Sequence, residues 1–327
     1  MTTPRILTEF RDLIVSGLEG ALAGTSLLHP VLRYHVGLED ETGARRENLG
    51  KLLRPSLVLF TATELGADPR RALPAAVGIE LIHNFSLIHD DIQDGDRLRR
   101  GRPTVWSLHG IAQGINAGDL MAAIAIREAL SAGPQITAAL VSATIEMIEG
   151  QGLDLSFETR EATVDEYMEM IDKKTGALIR GSFTLGGLVA GAEAETLRRL
   201  SELGTALGRA FQIRDDILGI WGNGEVTGKP LGSDIRRRKK SLPVVVGLSR
   251  AGGADRTILV ETYQKEGLTD ADVTAVVTVL ERLGAKEIAE RMVKEHLGRA
   301  EEILAALPFP HKEKMTELID YLARREK

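Results

Sequence analysis

Residues 203–222 read "LGTALGRAFQIRDDILGIWG". Leu203, Leu207 and Phe211 recur every four residues, which places them on one face of an α-helix. That face runs on to Asp215, the first of an aspartate pair. Upstream the arrangement repeats, with Ile79, His83 and Leu87 leading to Asp90 and Asp94 on a shared face. Ile136, Leu140 and Met147 mark another helical face. Period-2 alternation long enough to build a sheet is missing. "VVVGL" (244–248) is the best strand candidate, although a buried helix explains it equally well. The 34 glycines weigh against so much helix, at about 1 kcal/mol each relative to alanine. Several fall where breaks are expected, including Gly66, Gly222, Gly224, Gly252 and Gly253. The pattern predicts an all-α fold in one large bundle.

With no linker, repeat or composition break, the 327 residues are expected to form one domain, 1–327. A net charge of −6 and 4% aromatic residues argue against a nucleic-acid partner. Cysteine is absent, which removes disulfides and thiolate chemistry and fits a cytoplasmic protein. Glu9, Arg11 and Asp12 stand where a signal peptide needs an apolar run. The longest oily segment, "GSFTLGGLVAGA" (181–192), is too short to cross a bilayer.

The stretch "HDDIQDGDRLRRGRPT" (89–104) gathers acids in front and arginines behind. Like charges four apart on a helix repel, and bunched carboxylates raise one another's pKa. A divalent cation relieves both, and carboxylates that hold Mg²⁺ incompletely leave room for phosphate oxygens. An EF-hand loop is excluded, because Ile92 and Gly101 stand where it needs oxygen ligands. Two aspartate pairs at the ends of two apolar helices suggest a bundle mouth where facing carboxylates share metal ions.

Basic residues suited to phosphate accompany them: Arg99, Arg100, Lys51, Arg54, Lys174, Lys229 and Lys239. "TGKP" (227–230) looks like part of a phosphate loop, but no G-x-x-x-x-G-K-[ST] exists. Segregated charge suits a layered ligand: metal against acid, diphosphate against metal and base.

Together these residues resemble the trans-isoprenyl diphosphate synthases, the polyprenyl synthetases. The likeness is carried by "GKLLRP" (50–55), "DDIQD" (90–94), "RRG" (99–101), "NAGDL" (116–120), "GQGLD" (150–154), "KTGAL" (174–178), "FQIRDD" (211–216) and "GKPLGSDIRRRKKSLP" (228–243). The resemblance implies an isoprenoid-synthase-type bundle with a central catalytic cavity, and a homodimer. It implies three Mg²⁺ held through Asp90, Asp94 and Asp215, with Asp91 and Asp216 in the same motifs. Arg99, Lys174, Lys229 and Lys239 would hold an allylic diphosphate, with Thr175 and Gln212 beside them. Lys51, Arg54, His83 and Arg100 would hold the diphosphate of isopentenyl diphosphate. The implied reaction ionises the allylic diphosphate, condenses it with isopentenyl diphosphate and eliminates a proton. One departure stands out: Gly219 replaces the last aspartate of the second motif, and weaker metal binding is expected.

Phe85 lies five residues before Asp90, about 7.5 Å along a helix. A phenyl ring there would floor the tunnel for the growing tail. In the resembling family, an aromatic here beside a small residue, Ser86, goes with medium products. Geranylgeranyl diphosphate is therefore expected first and farnesyl diphosphate second. A class I terpene cyclase is the rival, but Gly219 and Asn223 stand where its second motif needs Ser/Thr and Glu. A non-catalytic partner subunit would carry damaged aspartate motifs, and here only Gly219 deviates. The C-terminal "YLARREK" (321–327) reads first as a solvated tail, with a cover over the isopentenyl site as the alternative.

Overall fold

Both aspartate pairs ride on helices of 25 residues or more. The computed structural model describes residues 3–46, 48–222 and 232–324. In chain order the helices begin with α1 (Arg11–Ala21), α2 (His29–Val36), α3 (Leu53–Glu64), α4 (Pro69–Gln93) and α5 (Val105–His109). Then come α6 (Ile111–Ser131), α7 (Pro134–Glu158), α8 (Val164–Ile171), α9 (Ala177–Val189) and α10 (Ala194–Trp221). The chain continues with α11 (Ser233–Arg236), α12 (Leu242–Arg250), α13 (Gly253–Gln264), α14 (Asp270–Arg282), α15 (Ala285–Ala306) and α16 (Lys312–Arg324). Among the described residues the only sheet is a small hairpin, β1 (Leu98–Arg99) antiparallel to β2 (Arg102–Pro103). The all-α helical bundle expected from the sequence is what forms.

α4 starts where Asp68 accepts the Arg70 N–H at 2.8 Å, with Pro69 in the first position. It ends at Asp94, so the first acidic run occupies its C-terminal turn. Carboxylates there meet the negative end of the helix dipole, an arrangement that favours a bound cation. α4 packs on α3, α6 and α9, and α10 packs on α9 and α15. Leu203 and Leu207 are buried on α10, and Leu203→Ala would cost about 2–5 kcal/mol through the cavity left behind. The core is one cluster from Ile6 to Leu322.

One open alternative is settled and two local expectations change. "VVVGL" lies in α12, where Leu242, Val244, Val245, Val246 and Leu248 are all buried. Burial on every side erases the periodicity that would have marked it as helix. α10 continues to Trp221, so Asp215 sits more than a turn inside the helix and not at its end. The tail reading of "YLARREK" is overturned for residues 321–324, which form the last turn of α16 with Leu322 in the core.

Candidate active site

Between α8 and α9 the helix widens into a single π turn, Asp172–Gly176, which carries Lys174 and Thr175. Such turns recur at functional sites because they displace side chains from the regular ladder. α7 packs hard against this one. A Cβ at Gly150 would lie 2.1 Å from the Lys174 backbone nitrogen, so only glycine fits that approach. The Lys174 ammonium pairs with Asp154, four residues along on α7.

Asp90 and Asp94 lie within the field of that pair. Burial pushes Asp90 up to about 6; Lys174 opposes the shift, and Asp94 and Asp154 add to it. Asp94 is raised too, burial first, with Lys174 opposing the shift and Asp96 and Asp154 adding to it. Asp91 behaves differently. Its carboxylate is 1% exposed and pairs with Arg99, whose Nε donates at 2.8 Å. Arg99 is thereby turned toward the acidic run, and burial still raises Asp91 against that pull.

A second basic group forms next to it. Arg54, at the start of α3, feels Glu80 and Asp215 as attractive charges and Arg100 as a repulsive one. Arg100 adopts a left-handed backbone, φ 52°, which costs energy in a non-glycine residue. Its guanidinium lies over Gly50, beside Lys51. Burial, then Arg54, Arg100 and Arg99, push His83 well below its ordinary range, so the imidazole is neutral at pH 7. Lys51 hydrogen-bonds the Tyr321 hydroxyl at 2.7 Å, which brings the last helix to this cluster. The Arg214 Nη2 donates to the Ala323 carbonyl at 2.8 Å and ties α16 to α10 one residue before Asp215.

On the far side, Thr175 donates to Gln212 at 2.7 Å, and Gln212 donates to Asp216 at 3.1 Å. Lys239 also donates to Asp216 at 3.1 Å. Asp216 is fully buried with both oxygens hydrogen-bonded to protein groups, whereas Asp91 gives only Oδ1 to Arg99 and keeps Oδ2 buried without a hydrogen-bond partner. Phe85 is 9% exposed and packs edge-on against His89, with ring centroids 4.9 Å apart. Ser86 donates to the His83 carbonyl. Lys229 lies outside the described residues.

A cavity of about 750 Å³ opens over this region, lined by Asp94, Asp154, Lys174, Asp234 and Lys239 among others. Among the described residues no three acidic or histidine side chains converge as a ready-made metal centre. The donor set is nevertheless all oxygen, half-buried at Asp90 and exposed at Asp94, with the Asp94 charge acting against that of Asp90. That fits a hard cation completed by a ligand's phosphate oxygens.

Two residues escaped the sequence reading. Glu80 lies one turn before His83, and burial lifts its carboxyl to about 7 despite Arg54. Asp154 was on the page within "GQGLD", yet its pairing with Lys174 depends on the π turn, which no local pattern announces.

A helical bundle whose two aspartate-bearing helices meet two separate basic groups is the frame of an isoprenyl diphosphate synthase, a prenyltransferase. The chain belongs to the polyprenyl synthetase family, whose model matches residues 43–280. It is 40% identical over 310 residues to a (2E,6E)-farnesyl diphosphate synthase of Mycobacterium bovis, covering 91% of this chain and 86% of that one. A geranylgeranyl diphosphate synthase of Mycobacterium tuberculosis is 38% identical over 283 residues, 84% of this chain and 80% of that one. The crystal structure of a polyprenyl synthetase from Streptomyces coelicolor A3(2) superimposes with a TM-score of 0.90 at 36% identity. That superposition covers 97% of this chain and 98% of the other.

Proposed function

We propose that the protein condenses an allylic diphosphate with isopentenyl diphosphate, making geranylgeranyl diphosphate in preference to farnesyl diphosphate. The observation that carries this reading is the separation of the basic residues. Arg99, Lys174 and Lys239 each pair with a carboxylate beside the acidic runs, whereas Arg54, Arg100 and His83 lie in one another's field, with Lys51 adjoining them and Arg99 at the border of the two groups. Two diphosphates need two such groups.

Lys174, Arg99 and Lys239 would grip the allylic diphosphate, Thr175 and Gln212 would orient it, and Lys229 would join them. Asp90, Asp94 and Asp215 would hold Mg²⁺, three ions by the resemblance. Bound there, the metal supplies Lewis-acid withdrawal of charge from the departing diphosphate. Asp91 and Asp216 would act by fixing Arg99 and Lys239. The allylic C–O bond breaks with its electron pair on the diphosphate. The isopentenyl double bond, held by Lys51, Arg54, Arg100 and neutral His83, then supplies the pair for the new C–C bond. A proton leaves to the released diphosphate and a new double bond forms. The cations around the leaving group are preorganised for the charge that develops. Phe85, with the small Ser86 beside it, would close the tail tunnel.

The rest of the reading is a single domain over 1–327 and a homodimer working in the cytoplasm. One continuous core supports the first. Ile111, Ile115, Ile126 and Leu130 on α6 with Ile145 and Ile148 on α7 stay exposed and offer an apolar face for a second copy. Among the described residues no helix is long and apolar enough to cross a membrane.

The test is turnover by the purified protein with Mg²⁺, isopentenyl diphosphate and dimethylallyl, geranyl or farnesyl diphosphate as primer. The reading expects a longer prenyl diphosphate by chromatography. Hydrocarbon formed without isopentenyl diphosphate would instead show a cyclase, and no turnover by the protein alone a partner subunit.

A further inference from the structure

We propose that Tyr167 is a positioning residue for the allylic diphosphate, acting through Asp216 on Lys239 and Gln212; this rests on reading those two as part of the allylic site. Tyr167 is wholly buried on α8, a helix opened by the capping box of Thr163 and Glu166. Its hydroxyl donates to Oδ2 of Asp216. The same oxygen accepts the Leu242 N–H at 2.9 Å, at the start of α12, where the helix dipole favours an anion. The other oxygen, Oδ1, accepts Gln212 Nε2 and Lys239 Nζ, each at 3.1 Å.

A carboxylate offers about four acceptor positions, and four donors occupy those of Asp216. With no exposed surface, it has no direction left for a metal ion. Its chemistry here is that of a buried counter-ion joining α8, α10, α12 and the segment that bears Lys239. Burial opposes the charge on Lys239, but Asp216, then Asp234 and Asp154, outweigh it and raise its pKa, so Lys239 stays a cation. Gln212 in turn accepts from Thr175 and extends the junction to the π turn.

Tyr167 is the one donor to Asp216 that reaches it from α8. Without its hydroxyl, Oδ2 keeps a single hydrogen bond inside a dry site. The carboxylate then regains balance by drawing closer to Lys239 and Gln212, which moves both away from a diphosphate.

The experiment compares steady-state constants of Tyr167→Phe, Lys239→Gln and the double variant with those of the wild type. The expected result is a KM for the allylic diphosphate raised about tenfold in Tyr167→Phe, the size of one hydrogen bond to a charged group. The isopentenyl KM and kcat should stay within about twofold, and the double variant should be no worse than Lys239→Gln. If Lys239→Gln raises the allylic KM while Tyr167→Phe does not, or shifts both KM values alike, the role of Tyr167 is overturned and the site reading stands. If Lys239→Gln leaves the allylic KM unmoved, the site reading itself falls. Should Tyr167→Phe fail to fold, Tyr167→His keeps a ring donor for Asp216 and must hold the allylic KM within about twofold of the wild type while Tyr167→Leu raises it selectively. Equal KM values in Tyr167→His and Tyr167→Leu would overturn the proposal.

Discussion

The carboxylate of Asp234 stands where a side chain on Gly219 would begin: an ideal Cβ at residue 219 lies 2.2 Å from Oδ2 of Asp234. The carboxylate that the second motif lacks at position 219 is therefore matched by one in the same space, carried by a residue fifteen positions later. Gly219→Asp is expected to weaken the protein, because it adds both overlap and a second negative charge. Overpacking of this kind costs roughly 1–3 kcal/mol, so Tm should fall by several degrees and turnover with it. Thermal melts and an activity assay check this, and a variant as stable and active as the wild type would refute it. Pairing Gly219→Asp with Asp234→Gly should recover part of the loss.

Phe85→Ala should lengthen the product. The ring is nearly enclosed, stacked edge-on against His89 five residues before Asp90, and its removal opens space along α4. Chromatography of the dephosphorylated products reads the chain length, and an unchanged length would remove Phe85 as the floor. Truncating a buried aromatic also costs about 3–5 kcal/mol, so the assay belongs well below the melting range.

Asp90 links metal binding to pH. Its carboxyl, ordinarily near 3.8, is pushed up to about 6 by burial. The folded chain therefore holds this proton more tightly than the unfolded one. Its contribution to stability is present below pH 4 and is lost as pH rises through about 6. Mg²⁺ needs the deprotonated form, so its effect runs the other way. The rise in Tm on adding Mg²⁺ near pH 7.5 should shrink as pH falls through about 6 and should be small in Asp90→Asn. Calorimetry with and without the ion measures it, and a rise independent of pH would count against Asp90 as a ligand.

Arg100→Ala should raise the KM for isopentenyl diphosphate about 10- to 100-fold while the allylic KM stays within about twofold. A bidentate arginine contact to phosphate is a strong one, and Arg100 belongs to the cluster with Lys51 and Arg54. Equal rises in both constants would mean that the two basic groups serve one diphosphate.

The fold was legible because Leu203, Leu207 and Phe211, like Ile79, His83 and Leu87, keep a helical face for several turns. α12 was ambiguous because burial on all sides leaves no polar face to set the period. The acidic runs could be read from spacing, and the lysines from the resemblance to the family. What spacing could not reveal was which oxygens were already occupied. Asp90 and Asp91 are neighbours in sequence, yet a helix turns them about 100° apart, one into the field of Lys174 and Asp94 and one into Arg99. The partnership of Tyr167 with Asp216 spans forty-nine positions and has no local signature. The same holds for Lys51 and Tyr321, 270 residues apart.

The π turn at Asp172–Gly176 makes this segment intolerant of length changes. The turn holds one residue more than a regular α turn, so deleting one there would restore ordinary helical pitch and leave Ala177, Leu178 and Phe183 facing the core. What the deletion would remove is the displacement that carries Lys174 to Asp154. A one-residue deletion here should thus spare the fold and break the site, and the family motif around Lys174 is a constraint on count as much as on kind.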